Sequence, residues 1–297
     1  LEQGFRKTIF NIRKRRILHV FQNRNSIIGE YYSRAKGLDC VFVGSDEVFS
    51  IESGLNNVFW GFGVPCKKVF AYAGSFGPTT LGCIQERYAE GYVRAGIERF
   101  EKISVRDKNS QSIIEKLSGK RPPIVCDPVI LYGYDAEKEM FKKPLKERYL
   151  VVYAYDNNMN DENEVQAITS YAKSQGLLTV SVGFYHQWCD MSVNVSPIEL
   201  LEFIWAADCV VTDTFHGSVI SILMNRPFVA RIRGNENKLG FLMDEYGLSD
   251  RVSSDLGDLA TQLDRPIEYA RVNHLMEAKR RQSMDYLESC LEKVADD

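Results

Sequence analysis

The feature that most constrains this chain is the alternation of short, apolar, β-branched runs with stretches of helical period. The runs fall at 40–43, 68–72, 103–105, 124–126, 150–153, 178–182, 209–212 and 228–231. They are short and nearly continuous in their apolar character, as strands buried on both faces must be. Helical patterns near 83–100, 107–118, 161–175, 196–206, 215–225 and 236–247 lie between or after them. This βαβ rhythm predicts an α/β fold of parallel sheets covered by helices.

The chain has 297 residues, more than one compact core usually organises, and the rhythm is interrupted by a charged connector at 134–148 that follows Asp127-Pro128. Two Rossmann-like domains facing a cleft are therefore expected. The first is expected over 1–130, joined by a long C-terminal helix pattern at 268–295 that packs back across it, and the second over 131–267. No strand pattern precedes the opening basic stretch, and residue 1 is Leu, so the chain is expected to start inside its first domain.

A net charge of -3 supplies no basic surplus for a nucleic-acid backbone, which excludes nucleic acid as the expected partner. Seven cysteines, odd in number and without a CxxC pair, argue against a disulfide framework and against a zinc site. With no apolar run near the roughly 20 residues that span a bilayer, the expectation is a cytoplasmic protein with no metal. The run Arg13-Lys14-Arg15-Arg16 could bring it peripherally to the inner membrane surface, although so short a run is ordinarily a solvated helix face.

Ligands of parallel sheets bind beyond the carboxyl ends of strands, so the loops there are the ones to inspect. Gly44-Ser45-Asp46 follows one run, where a plain capped turn explains it better than a ligand loop does. Gly74-Ser75-Phe76-Gly77 follows the next, and its amides suit an anion about as well as they suit a tight turn ended by Pro78. Asp213-Thr214-Phe215-His216-Gly217-Ser218 is the sharpest, because it leads from a strand into a helix. Unpaired amides and the helix dipole at such a start suit a phosphate, expected on Gly217 and Ser218.

Arg106, Arg231 and Arg233 also emerge from strand ends, where a guanidinium fork can clamp a carboxylate or phosphate. His186, in an aromatic loop, could stack on or bond to a sugar, although a loop histidine beside aromatics is more often structural.

Taken together and in order, Gly44-Ser45-Asp46, Tyr72-Ala73-Gly74-Ser75-Phe76-Gly77, Ser104-Val105-Arg106-Asp107, Cys126-Asp127-Pro128 and Thr212-Asp213-Thr214-Phe215-His216-Gly217 resemble the signature segments of the polysaccharide pyruvyl transferase family. The likeness spans about 38 to 250. It departs from the family in lacking the usual opening strand and its Asn/Tyr-Gly loop, and in carrying Phe49 where a tryptophan often stands.

The resemblance implies a GT-B-like fold and phosphoenolpyruvate as donor, with no further cofactor. It also implies a glycan or lipid-linked glycan acceptor, a pyruvate ketal and released phosphate as products, and a role in exopolysaccharide or cell-envelope biosynthesis. His216, Arg106 and Asp213 become the expected catalytic residues. His216 is expected to hydrogen-bond the donor phosphate more readily than to give up a proton. Asp213 or Thr214 is the expected cap of the helix, and for Asp213 capping comes ahead of orienting His216 or activating the acceptor hydroxyl. The same cleft would serve a nucleotide-sugar glycosyltransferase or a non-catalytic carbohydrate- or anion-binding protein.

Overall fold

The computed structural model describes residues 2–31, 34–52, 54–234 and 236–295. In chain order the elements begin with α1 (Glu2–Arg24), β1 (Cys40–Val43), β2 (Lys68–Gly74), α2 (Leu81–Glu86), α3 (Glu90–Arg99), β3 (Lys102–Val105) and α4 (Lys108–Ser118). They continue through α5 (Pro128–Tyr132), α6 (Asp135–Lys138), β4 (Tyr149–Tyr153), α7 (Glu162–Gln175), β5 (Leu178–Val182), β6 (Met191–Val193) and α8 (Pro197–Ala206). The last are β7 (Cys209–Thr212), α9 (Phe215–Leu223), β8 (Phe228–Arg231), α10 (Glu236–Glu245), β9 (Val252–Ser253), α11 (Leu259–Asp264) and α12 (Tyr269–Ala295).

The chain divides into two compact units. One gathers Glu30–Tyr132, Gly234–Tyr246 and His274–Asp297 around a parallel sheet in the order β1-β2-β3. Successive side chains of β2 point to opposite faces, and both sets are apolar, so both faces need cover. Val69 and Ala71 join a core with Phe49, Trp60, Phe76, Ile97 and Ile114, on the side of α3 and α4. Phe70 and Tyr72 pack instead with Tyr286 and Cys290 of α12. Tyr286 donates from its hydroxyl to the Ala71 carbonyl (2.8 Å), and Ser283 accepts from the Cys126 amide (2.9 Å).

The other unit gathers Leu1–Gly29, Gly133–Arg233 and Gly247–Asn273 around a parallel sheet in the order β6-β5-β4-β7-β8-β9. The chain builds outward from β4 to one side, then returns to lay β7 on its other edge. That reversal is where an open α/β sheet leaves a crevice for ligands. Local signals set the helices here. Asp161 caps α7 and Gly176 ends it in the left-handed conformation, while Ser196 and Glu199 form a reciprocal capping box before Pro197.

Five features differ from the sequence reading, the first being that Gly234–Tyr246, expected in the second domain over 131–267, belong with the three-stranded unit. The pattern at 83–100 is two helices, α2 and α3, broken at Tyr88, whose φ is +54°. The run 124–126 makes only a bridge, Ile124 to Val105, because proline at 128 stops the chain from continuing along the sheet. The strands β6 and β9 were too short to stand out. Residues 1–29 belong with the six-stranded unit, not the three-stranded one: α1 buries Phe10, whose carbonyl accepts from Asn194 Nδ2 (2.9 Å) and whose ring meets that of Tyr185 at 5.6 Å. Among the described residues no helix is long and apolar enough to cross a membrane.

Candidate functional site

The loops at the carboxyl ends of β4, β5, β7 and β8 converge through a connected set of polar side chains. Asp213, the first residue after β7, has a fully buried side chain. Its carboxylate accepts from Asn158 Nδ2 at 2.5 Å and from the Tyr155 amide at 3.4 Å, both in the loop after β4. Arg233, beyond β8, brings its Nε to 3.4 Å from the same carboxylate. Burial is the largest influence on Asp213 and pushes its pKa up, and Arg233 opposes that only in part.

Arg231 and Arg233 share one buried partner. Glu164, in the first turn of α7, accepts from Arg231 Nε at 2.7 Å and also from Arg233 Nη2. One carboxylate thus holds two guanidinium groups side by side. Both arginines remain partly exposed, at 19% for Arg231 and 27% for Arg233.

The helix start after Asp213 is arranged differently from the expectation. Thr214, not Asp213, caps α9, and its hydroxyl accepts from the Gly217 amide at 2.8 Å. Ser218 donates its amide and its hydroxyl to the Thr214 carbonyl, at 3.3 and 3.2 Å. The two amides expected to hold a phosphate are therefore spent inside the loop. Gly217 is required by packing: a Cβ there would lie 2.1 Å from Thr212 Oγ1. Phe215 and His216 open the helix, their rings edge to face at 5.5 Å, and His216 is half-buried where Gly217 and Ser218 are buried.

His186 is not placed to bond a sugar. It is 1% exposed, its Nε2 donates to the Asn158 carbonyl at 3.0 Å, and its Nδ1 lies 2.8 Å from the Ser181 hydroxyl. Burial pushes its pKa down, so it serves as a neutral brace between the loops after β4 and β5.

The remaining candidates lie in the three-stranded unit and are engaged mainly with one another. Arg106, 5% exposed, donates to Asp127 (2.9 Å) and to Asp46, which occupies both arms of the fork expected to clamp a ligand. The amides of Ser75, Phe76 and Gly77 donate to the Asp46 carbonyl, the Ser110 hydroxyl and the Ser75 hydroxyl, so the expected anion nest is closed. Ser75 in turn donates to Asp107 at 2.7 Å, and Asp107 caps α4.

The glycines there answer to close packing. A Cβ on Gly74 would meet the Phe49 ring at 2.3 Å, and one on Gly44 would meet the Tyr72 carbonyl oxygen at 2.0 Å. Ser45 is half-buried beside them. Phe49, standing where a tryptophan is usual, stacks with Trp60 at 4.7 Å and Phe76 at 5.6 Å.

Sequence reasoning missed Asn158, Tyr155 and Glu164. The first two follow β4 at its carboxyl end, the position that should have prompted inspection. Glu164 gave no signal, since an acid in a first helical turn is ordinary. Among the described residues no group of three or more His, Cys, Asp or Glu side chains could hold a metal ion.

Parallel sheets in two units, with a polar cluster at one sheet's reversal point, define a Rossmann-like fold of the GT-B kind. Solved structures agree on that fold. A UDP-N-acetylglucosamine 2-epimerase from Neisseria meningitidis, bound to UDP-GlcNAc, superimposes with a TM-score of 0.53 at 10% identity, covering 94% of this chain and 89% of its own. Arabidopsis thaliana UGT89C1, complexed with UDP-L-rhamnose, gives 0.51 at 12% identity over 97% and 77%. A search of the curated proteins found no match. The profile described as "Polysaccharide pyruvyl transferase" matches residues 3–233, and the chain belongs to that family of transferase enzymes.

Proposed function

We propose that the chain transfers the pyruvyl group of phosphoenolpyruvate to a sugar of a surface or exported polysaccharide, forming a pyruvate ketal and releasing phosphate. The observation that carries the reading is the grouping of two partly exposed arginines, Arg231 and Arg233, beyond β8 with the start of α9 beyond β7, in a member of this family. Phosphoenolpyruvate carries a carboxylate and a phosphate on one small enol ether, so it needs two anion grips. In this reading the guanidinium groups supply one grip, and His216 with the positive end of the α9 dipole supplies the other.

Protonation of the donor's methylene carbon would make a methyl group and leave an oxocarbenium-like centre at C2. One sugar hydroxyl attacks that centre, and its proton passes to the phosphate group that is to leave. A second hydroxyl displaces phosphate, closes the ketal and gives up the other proton, which restores the acid that began the sequence. Asp213, buried beside Arg233 and with its pKa raised by burial, is the carboxyl group assigned to this proton cycle. Thr214 and Phe215 shape the helix start, and cytoplasmic placement, where phosphoenolpyruvate is made, belongs to the same proposal.

Arg106, Asp46 and the loops 44–46 and 74–77 enter the reading as the scaffold of the other unit's strand ends. The test is to incubate the protein with phosphoenolpyruvate and a panel of surface glycans, following phosphate and glycan mass together. Phosphate release matched by the mass of one pyruvyl ketal supports transfer. Turnover confined to a nucleotide sugar would establish the glycosyltransferase reading in its place.

A further inference from the structure

A groove of about 960 Å³ lies wholly within the six-stranded unit, between α1 and the segment 185–194. It is far larger than phosphoenolpyruvate needs and within the range of sites that take a saccharide-sized ligand. Its two walls differ in chemistry. The α1 wall presents Arg13 and Arg16, one helical turn apart, among Ile9, Phe10 and Ile17. The facing wall presents the polar groups of Tyr185, Gln187 and Asn194.

Charge is unbalanced across the groove. Among the described residues neither Arg13 nor Arg16 has an acidic partner, and both are exposed. Asp190 is the acidic residue of the lining, and its carboxylate is already taken by the Thr179 amide (2.8 Å) and hydroxyl (2.9 Å). Asn194 donates its Nδ2 to the Phe10 carbonyl while its buried Oδ1 has no hydrogen-bond partner, an acceptor set in the groove lining.

The walls are held in place. Lys14 lies 4.1 Å over the Phe184 ring, and Lys7 pairs with Asp156 at 3.4 Å. Groove and cluster are also continuous. The Tyr185 amide donates to Asp156, and His186, a lining residue, bonds the Asn158 carbonyl, while the Asn158 side chain bonds Asp213.

We propose that this groove binds the acceptor as a glycosyl phosphate, with the phosphate on Arg13 and Arg16 and the sugar against Tyr185, Gln187 and Asn194. Two uncompensated guanidinium forks one turn apart select a phosphate oxyanion over a neutral group. Aromatic and amide side chains opposite suit a sugar's C–H faces and hydroxyls. The inference rests on the pyruvyl-transfer reading for its claim that the ligand is an acceptor, and the experiment separates the two.

The full chain is titrated calorimetrically with glucose 1-phosphate, methyl glucoside, inorganic phosphate and phosphoenolpyruvate. Wild type, the double variant Arg13→Ala/Arg16→Ala and the control Arg15→Ala are compared after thermal melts show that all three are folded. Glucose 1-phosphate should bind wild type and Arg15→Ala alike and the double variant about tenfold more weakly. Methyl glucoside and inorganic phosphate should each bind wild type more weakly than glucose 1-phosphate does, and phosphoenolpyruvate should bind all three proteins equally.

Equal binding of glucose 1-phosphate to wild type and double variant would overturn the proposal. So would inorganic phosphate binding as well as the sugar phosphate, or loss of phosphoenolpyruvate in the double variant, which would make the groove the donor site. If phosphoenolpyruvate binds none of the proteins while glucose 1-phosphate keeps its dependence on the two arginines, the donor reading falls and the groove stands.

Discussion

Two regions of this molecule look alike in sequence and differ in what their side chains do. Both are loops at the carboxyl ends of parallel strands, and both mix glycine, hydroxyl and charged residues. In the three-stranded unit, Arg106 is buried with both arms of its fork taken by Asp127 and Asp46, Ser75 bonds Asp107, the exposed group is the Asp46 carboxylate at 54%, and the glycines admit neighbouring backbone or rings. In the six-stranded unit, Asp213, Glu164, Arg231 and Arg233 also pair, yet the arginines stay partly exposed and His216 stays half-buried. A strand-end position makes a site available, and residual exposure of positive charge decides whether an anionic ligand can use it.

The strongest way to break that comparison is Arg106→Ala. Removing the guanidinium leaves the buried Asp127 carboxylate without its counter-charge, a change that typically costs about 3–5 kcal/mol. A denaturant titration should show that loss, with Arg106→Lys recovering only part of it because an ammonium cannot fork between Asp46 and Asp127. Unchanged stability with abolished turnover would move Arg106 into the catalytic group.

The opposite result is expected for His216→Ala. Phosphate release from phosphoenolpyruvate should fall by about 10²-fold or more, while stability stays within about 0.5 kcal/mol of wild type. A full-rate variant would remove His216 from the site.

A smaller effect sharpens the picture of Asp213. Its pKa is raised by burial, so the folded state holds the proton more tightly than the unfolded chain does. The ionised carboxylate therefore costs stability, an effect absent below about pH 4 that grows as pH rises through the raised folded value. Asp213→Asn keeps an oxygen for Asn158 and should gain on wild type in thermal midpoint across that rise. Parallel midpoints would mean that Arg233 already neutralises the cost.

His186 gives the smallest effect, with the opposite sign. Its lowered pKa means that the unfolded chain takes up a proton first as pH falls below about 6.5. Its contribution to stability is complete above that pH and is lost as pH falls toward the lowered folded value. His186→Gln should flatten the acid side of the stability profile there, and an unaltered slope would assign it to other groups.

Much of the fold was legible because its signals are local. Eight apolar runs were visible, and seven became strands. The helix patterns at 107–118, 161–175 and 196–206 match α4, α7 and α8 to within a residue or so, because Asp107, Asp161 and Ser196 cap them where the patterns begin. The run 124–126 misled because apolar content does not reveal how far a run stays along its neighbour, and here it leaves the edge of β3 after one bridge, ahead of Pro128. The opening helix was assigned to the wrong unit because its apolar positions say that it packs, and not on what.

The site divides along the same line. Sequence alone determined that Asp213 through Ser218 joins a strand to a helix, since the periods on either side and the capping residues are properties of neighbouring positions. It also determined the family, through an ordered set of segments. Only the tertiary structure decided that Thr214 does the capping, that Glu164 holds Arg231 and Arg233 from 67 and 69 residues away, and that His186 braces where it was expected to bind. Those outcomes depend on which groups meet across the sheet and which remain open to water, and no neighbouring residue carries that information.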